Sequence, residues 1–174
     1  MKKITVPLKA QDVTGLRSGE EVLLNGILYT ARDQAHKRLY DAILKKERLP
    51  FDIHNAFIYY CGPAATPKGS VIGSCGPTTS RRMDVFTPVL LRAGLRGMIG
   101  KGDRSPEVVE AIKQNNAVYF LAYAGCGALL TRFVKESVPL AYKDLGPEAV
   151  FRLVVKDFPL IVGIDAAGNN IFER

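Results

Sequence analysis

Segment 73–84 carries the residues of this chain that are best suited to chemistry. It combines glycines with the adjacent hydroxyls of Thr78 and Thr79 and the guanidinium group of Arg82. An apolar stretch with helical spacing follows, so we expect free backbone N–H groups of a helix start beside these side chains. Such N–H groups, hydroxyls and a guanidinium bind small anions, and a carboxylate fits them best. The segment therefore predicts a carboxylate-binding loop.

Two further segments follow the same plan of an apolar strand and then a polar or glycine-rich turn. Arg32 follows the strand-like stretch 27–30, and Lys101 stands between Gly100 and Gly102 after another apolar stretch. In α/β folds, turns that follow strands gather at one end of the sheet, where ligands bind. If these turns converge, Arg32, Arg82 and Lys101 surround two hydroxyls with three positive charges. A small dicarboxylate would satisfy them.

Each residue also has a plain structural interpretation when it is taken alone. Arg32 could pair with an acid on its own helix, and Thr78 and Thr79 could simply cap a helix. The glycines around Lys101 lack the spacing of a phosphate-binding loop. His36, one helical turn after Arg32, is either a proton carrier or a histidine at the edge of the core. The joint occurrence of these residues, more than any one of them, favours a site.

Size and composition indicate one α/β domain over residues 1–174. The chain is 47% hydrophobic and 24% charged, which is enough to form a proper core. No apolar run reaches the roughly 20 residues that span a bilayer, and the basic start has no secretory apolar segment. We therefore expect a cytoplasmic protein without a membrane partner.

The net charge of +7 is scattered along the chain and forms no basic stripe interleaved with aromatic residues. A nucleic-acid-binding protein would show such a stripe or a known binding motif. The charge indicates either a solvated surface or attraction to an anionic small substrate or an acidic partner. Nucleic acid is not an expected partner.

The three cysteines, Cys61, Cys75 and Cys126, form no C-x-x-C pair, and their odd number argues against a disulfide framework. Their number alone leaves a three-cysteine iron–sulfur site open. Cys61 ends an apolar run and Cys126 lies between glycines, which favours small structural residues. With only two histidines besides, the chain is not expected to bind a metal by itself.

Apolar periodicity predicts a mixed sheet with helices between its central strands and hairpins at both ends. The dipeptide Asn25-Gly26 predicts the first hairpin, and the alternating tail predicts the second. Pro88 should kink the helical stretch 79–93 or divide it into two pieces. The remaining predicted strands cover 4–8, 56–61, 97–100, 118–124, 150–155, 160–164 and 171–172, and the remaining helices cover 33–46, 105–115 and 127–135.

The motifs occur in an order that resembles the class I (iron–sulfur) fumarate hydratases. The similar part is their C-terminal domain, which is a separate β subunit in two-subunit members; tartrate dehydratase β subunits are similar too. The most specific block is G-P-T-T-x-x-R-M-D at 76–84. The other matching stretches are L-Y-T-A-R-D at 28–33 with A-H-K-R-L at 35–39, G-P at 62–63, I-G-K-G at 99–102, D-L-G-x-E-A at 144–149, D-F-P at 157–159, Asp165 and G-N at 168–169.

The resemblance implies a swivelling three-layer β/β/α domain and reversible hydration of fumarate to (S)-malate. It also implies a [4Fe-4S] cluster that is ligated by the partner, a cluster-bearing α subunit, and we expect an α2β2 heterotetramer with fumarate or malate as ligand. One iron of that cluster would stay open to substrate and act as a Lewis acid. A tartrate dehydratase β subunit and a non-catalytic dicarboxylate-binding module are the alternatives.

The resemblance also assigns roles to residues. Substrate binding falls to Arg32, Thr78, Arg82 and Lys101, with Thr79 as a lesser contact, and catalysis falls to Thr78, Arg82 and Lys101. The family uses the threonine at the position of Thr78 as the base, which requires a carboxylate of the partner because a hydroxyl is a weak base. Arg81 stands where a small residue is more usual, and we expect it to point outward. The stretch 31–39 favours fumarate over tartrate.

Overall fold

One seven-stranded mixed sheet forms the framework of the protein. We describe it from a computed structural model that covers residues 1–173, so residue 174, the end of the expected domain, lies outside the described residues. The strands are β1 Lys2–Val6, β2 Glu21–Thr30, β3 Phe57–Tyr59, β4 Gly97–Gly100, β5 Val118–Leu121, β6 Val134–Ala141 and β7 Val150–Ile164. The helices are α1 Ala10–Val13, α2 Asp33–Leu44, α3 Thr87–Arg92, α4 Pro106–Gln114 and α5 Gly127–Leu130, with 3₁₀ helices at Ser80–Met83, Thr131–Phe133, Lys143–Glu148 and Ile171–Glu173.

The sheet closes on itself. Its strand order is β1-β2-β3-β4-β5-β7-β6; β1 to β5 are parallel, and β7 runs antiparallel to both β5 and β6. Because β7 also pairs antiparallel with β2, the strands β2, β3, β4, β5 and β7 form a closed five-stranded, barrel-like arrangement. The mixed α/β class is confirmed, and the three-layer β/β/α arrangement stays a prediction.

The central strands are buried on both faces, which explains their continuous apolar sequences. In β3, Phe57 and Tyr59 pack into the cluster that fills the barrel, while Ile58 packs into a second cluster outside it. The second cluster takes its helical members from α2, α3 and α4, which therefore cover the outside of the barrel. The helices begin and end close to their predicted positions, and Ser105 caps α4 through the Val108 N–H at 3.4 Å.

The predicted hairpin at Asn25-Gly26 is wrong, because β2 continues through both residues. β2 lies between β1 and β7 at this point, so a chain reversal would break two ladders. Gly26 instead has a φ of 115°, and a Cβ there would stand 2.4 Å from the Val6 carbonyl oxygen. The glycine thus allows a close approach of β1 at a bulge opposite β7.

The C-terminal region also differs from the predicted hairpin. A single strand, β7, covers both predicted strands, and residues 156 and 157 form a bulge between them, where Asp157 has a φ of 53°. The predicted strand at 171–172 is part of a 3₁₀ helix. β6 was not among the predicted strands, and the predicted helix 127–135 overlaps only its first two residues. As an edge strand, β6 tolerates Pro139 and exposed side chains.

Residues 79–93 fold as two short helical pieces, as Pro88 predicted, and a buried arginine holds the first piece in place. The Arg104 Nε donates to Asp84 Oδ1 at 2.7 Å, and its Nη2 donates to the Thr87 hydroxyl at 2.8 Å. The guanidinium is fully buried, 5.4 Å from the ring centre of Tyr60 and 4.9 Å from that of Tyr119. This network joins the segments that follow β3 and β4.

His36 belongs to the core. It is fully buried on α2, and its ring lies 5.0 Å from that of Tyr60. The Nδ1 atom is 3.0 Å from the Arg32 carbonyl, which can only accept, so Nδ1 carries the proton. Burial lowers the pKa of His36 to about 4. The side chain is neutral at pH 7, which favours the structural interpretation over the proton carrier.

Among residues 1–173, no helix combines the length and the apolar character needed to cross a membrane.

Substitution Arg104→Met should destabilise the fold by about 3–5 kcal/mol, because the Asp84 carboxylate would stay buried without its partner. For a chain of this size we expect the melting temperature to fall by about 10 °C, measured by circular dichroism. The double substitution Arg104→Met/Asp84→Asn is the control and should recover part of the loss. If the melting temperature of Arg104→Met lies within about 2 °C of the wild-type value, Arg104 does not stabilise the fold in this way.

His36 should make the protein less stable in mild acid. Its pKa is about 6.5 in the unfolded chain and about 4 in the folded one, so the unfolded state binds more protons as the pH falls through this range. Between pH 7 and pH 5 the folded state should lose about 2 kcal/mol from this residue. Urea unfolding of wild type and His36→Asn, which keeps the donor to Arg32 and does not titrate, measures the difference. Identical pH dependence of the two proteins would refute it.

Candidate active site

The three predicted site segments lie at one edge of the sheet. Arg32 follows β2, the segment with Thr78 follows β3, and Lys101 follows β4. These strands are neighbours and parallel, so their carboxyl ends stand side by side. The structure therefore places the three segments next to each other, as the sequence predicted, at the edge where α/β sheets bind ligands. The catalytic and binding roles of the residues stay predictions.

Segment 78–80 is inserted between the ends of β3 and β4. The Thr78 N–H donates to the Tyr60 carbonyl at 2.7 Å, Thr79 forms a parallel bridge with Lys101, and the Ser80 N–H donates to the Lys101 carbonyl at 3.0 Å. The 3₁₀ helix at Ser80–Met83 follows directly, without a cap from the Thr79 side chain. Within residues 1–173, both threonine hydroxyls lack hydrogen-bond partners, so the helix-cap interpretation is wrong.

Arg82 reaches across to the start of α2. Its Nε lies 3.0 Å from Asp33 Oδ1, and its Nη2 donates to Asp33 Oδ2 at 3.2 Å, a two-pronged contact with one carboxylate. The Arg32 Nε lies 3.7 Å from the same Oδ2 atom. Asp33 therefore stands between the two arginines that the sequence predicted to bind substrate. The contact between Arg32 and Asp33 also agrees with the alternative interpretation, in which Arg32 pairs with an acid of its own helix.

Arg32 is enclosed by the connection between β6 and β7. Its Nη2 lies 3.6 Å from Glu148 Oε1, and the other oxygen of Glu148 accepts the Gln34 N–H at 3.2 Å. Glu148 thereby satisfies a free N–H group in the first turn of α2, which has no cap from Arg32 itself. A Cβ on Gly62 would stand 3.0 Å from Arg32 Cδ and 3.1 Å from the Pro147 carbonyl, so this glycine leaves room for the arginine.

A second ion pair holds the same connection against α2. Arg38 donates to Asp144 Oδ1 at 2.9 Å, and its guanidinium lies 5.2 Å from the ring centre of Tyr142. Tyr142 has a φ of 53°, an uncommon backbone conformation at the turn into the 3₁₀ helix Lys143–Glu148. In segment 144–149, Asp144 thus binds α2 through Arg38, and this contact places Glu148 next to Arg32.

The charges at this edge nearly balance. Arg32, Arg82 and Lys101 supply three positive charges, and Asp33 and Glu148 supply two negative ones. Lys101 is half-buried and has no ion-pair partner among the described residues 1–173. The donors that remain open, on Lys101, on the arginines and on the two threonines, can receive the carboxylate of a small ligand.

Asp33 and Glu148 were not predicted as site residues. Asp33 could have been found from its position directly after Arg32. Glu148 could not, because 114 positions separate it from Gln34 and only the fold brings them together. Arg81 is exposed, as predicted. The pKa of Glu107 on α4 is lowered mainly by the Ser105 side chain and slightly by the charge of Arg81.

The cysteines beside the site form a buried thiol pair. Cys61 and Cys75 are free and fully buried, and Cys126 is half-buried. A hydrogen bond with Cys75, together with burial, holds the pKa of the Cys61 thiol well above its usual range. Both observations agree with the structural interpretation of Cys61 and Cys75.

Over the part of the chain that the structure describes, no three His, Cys, Asp or Glu side chains are grouped as metal ligands. A [4Fe-4S] cluster needs several thiolates directed at one point, whereas Cys61 and Cys75 are buried and the pKa of the Cys61 thiol is held well above its usual range. The three cysteines, all within the described residues 1–173, therefore do not fit a cluster held by this chain alone.

Comparison with known proteins gives a consistent picture. The family model described as "Fumarase C-terminus" matches residues 2–174. A protein of Methanocaldococcus jannaschii, provisionally named L(+)-tartrate dehydratase subunit beta, is 40% identical over 96% of this chain and 89% of its own length. The L(+)-tartrate dehydratase subunit beta of Escherichia coli is 37% identical over 100% of this chain and 88% of its own length.

Relatives named as fumarate hydratases are much longer. The aerobic class I fumarate hydratase of Escherichia coli is 36% identical over 100% of this chain, which spans only 31% of that protein. The match of the family model to nearly the whole chain and the identities of these relatives agree with the motifs and with the geometry at the sheet edge. The chain belongs to the fumarase C-terminus family of hydro-lyase domains.

Proposed function

We propose that this protein is the β subunit of a hydro-lyase that reversibly hydrates fumarate to (S)-malate, in a site shared with an α subunit. The observation that carries the proposal is the convergence of Arg32, Thr78, Arg82 and Lys101 at the carboxyl ends of β2, β3 and β4. Three cationic side chains and two unpaired hydroxyls suit a four-carbon dicarboxylate. Family membership supplies the reaction class.

Positive charge is the main contribution of this subunit to the chemistry. Removal of a proton from C3 of malate leaves carbanion character next to a carboxylate, and this charge must be stabilised in the transition state. Lys101 forms a bridge with Thr79, and Arg82 lies in the 3₁₀ helix that follows Thr79; both would bind that carboxylate. Arg32 would bind the substrate from the neighbouring turn, with Thr79 as an additional hydrogen-bond donor.

Thr78 takes the place of the base in this proposal. Its hydroxyl has no carboxylate partner within residues 1–173, and the site carboxylate Asp33 is engaged by Arg82. A threonine hydroxyl is a useful base only when another group accepts its proton. That acceptor would belong to the α subunit, which makes the site dependent on both chains.

The partner would also supply the cofactor. Two of the relatives are named as subunits beta, which supports an α subunit for this chain as well; we propose an α2β2 assembly. A [4Fe-4S] cluster held by the α subunit would polarise the substrate hydroxyl as a Lewis acid. Within this division of labour, the residues described above bind and orient the substrate and stabilise its charge.

L(+)-tartrate is the second candidate substrate. The relatives of similar length to this chain are named as tartrate dehydratase β subunits, whereas the fumarate hydratases extend far beyond it. (S)-Malate and L(+)-tartrate are both four-carbon dicarboxylates that lose water in the dehydration direction, so the same cationic side chains would serve either. They differ in one hydroxyl, whose partner would come from the α subunit or from an open donor of this edge.

Assay of the complex, purified with its native partner, decides between the substrates. We expect hydration of fumarate and dehydration of (S)-malate, followed by ultraviolet absorbance, with a higher kcat/KM than for either tartrate isomer. The β subunit alone should be folded and inactive. A complex that prefers L(+)-tartrate would replace the fumarate assignment, and activity of this chain without a partner would overturn the shared site.

Substitutions Arg82→Met and Thr78→Ala should each lower kcat of the complex by about 100-fold or more, because each removes a group that acts in the transition state. Arg81→Met is the matched control, since it removes the neighbouring exposed charge, and it should leave kcat within about twofold. Unchanged turnover in the Arg82 and Thr78 variants would favour the non-catalytic dicarboxylate-binding module instead.

A further inference from the structure

Asp33 contacts both arginines of the candidate site. Its carboxylate lies 3.0 and 3.2 Å from Nε and Nη2 of Arg82, and 3.7 Å from Nε of Arg32. The side chain is about one-third exposed, at 32%, so solvent reaches part of it. No substrate role was assigned to this residue by the motifs, and the two residues it joins come from different site segments.

We infer that Asp33 is a positioning residue that fixes which edge of the Arg82 guanidinium faces the substrate. This inference rests on the proposed function. By occupying the Nε–Nη2 edge, Asp33 leaves the Nη1 side of the guanidinium free for the carboxylate of a ligand. Arginine binds carboxylates through such planar, two-pronged contacts, so the orientation of its plane decides how the ligand is held.

The need for such a residue follows from the exposure of Arg82. Half of its side chain is open to solvent, at 50%, and among residues 1–173 Asp33 is the partner that holds its guanidinium. Asp33 is itself held in place, because it begins α2 at the end of β2, on a helix whose first turn Glu148 caps. A rigid element thus orients a long, exposed side chain.

Asp33 also limits the positive charge that the substrate meets. Without its carboxylate, the only negative charge beside the two arginines among residues 1–173 would be that of Glu148, which contacts Arg32. The site would then bind a dicarboxylate ground state more strongly while it orients the substrate less well. Tighter binding together with slower turnover would indicate that Asp33 positions Arg82. A purely structural acid, which only stabilises the first turn of a helix, would not produce both effects.

The test compares Asp33→Asn with Asp41→Asn in the complex with the native partner. Asp41 lies on the same helix and pairs with Lys37, so its substitution removes the same charge away from the site. For Asp33→Asn we expect kcat for fumarate to fall by about tenfold or more, because a displaced guanidinium stabilises the transition state less well. We expect KM to stay unchanged or to fall by about two- to fivefold. Asp41→Asn should change neither constant.

Asp33→Glu provides a second variant that keeps the charge. Because the negative charge is kept, the KM of Asp33→Glu should match that of the wild type. Because the longer side chain displaces the Arg82 guanidinium, its kcat should stay reduced. A kcat for Asp33→Asn within twofold of wild type, or a KM that rises as far as in Arg82→Met, would overturn the inference, provided that all variants melt at similar temperatures. An inactive wild-type complex would count against the proposed function itself, so the two failures are distinguishable.

Discussion

The buried ion pair between Arg104 and Asp84 is the interaction on which the site edge depends. Asp84, in the segment after β3, binds both the Arg104 side chain and the Ser105 N–H after β4, and so adds a charged anchor to the bonds of Ser80 with Lys101 and Tyr119. The guanidinium is enclosed by the rings of Tyr60 and Tyr119, and the Tyr119 hydroxyl continues the network to Ser80 at 2.8 Å. An ion pair removed from water in this way contributes less to stability than to geometry, because its directional bonds permit one arrangement of the loops. Thr78, Arg82 and Lys101 belong to the segments after β3 and β4 that this network joins.

A second layer of ion pairs governs the surface of the site. Asp33 and Glu148 balance two of its three cationic side chains, and both belong to or contact the start of α2. Asp33 therefore stands between the two arginines, while half of the Arg82 side chain stays open to solvent. A site built in this way attracts a dicarboxylate through a small net charge and orients it through fixed hydrogen-bond donors. The strength of the attraction and the precision of the orientation are set by different residues.

In our proposal, a partner chain completes the open side of the site. The threonine hydroxyls have no proton acceptor of their own within residues 1–173, and the thiols of Cys61 and Cys75 are buried away from any ligand. The residues present bind and stabilise charge, whereas a proton acceptor and a Lewis acid are the functions left to another chain in our proposal. This division fits a family in which the same domain occurs as a separate subunit and as part of a longer chain.

The sequence by itself determined the class of the fold, most helix and strand positions, and the residues that gather at the sheet edge. Apolar periodicity and the turn after each parallel strand are local signals, and parallel strands bring their turns together whatever lies between. The tertiary structure decided the rest. Gly26 lies within β2 instead of a hairpin because β1 and β7 flank the strand there, and local turn preference cannot outweigh two ladders. Glu148 reaches Arg32, and β7 closes the barrel, through contacts between residues far apart in the chain, which no local pattern encodes.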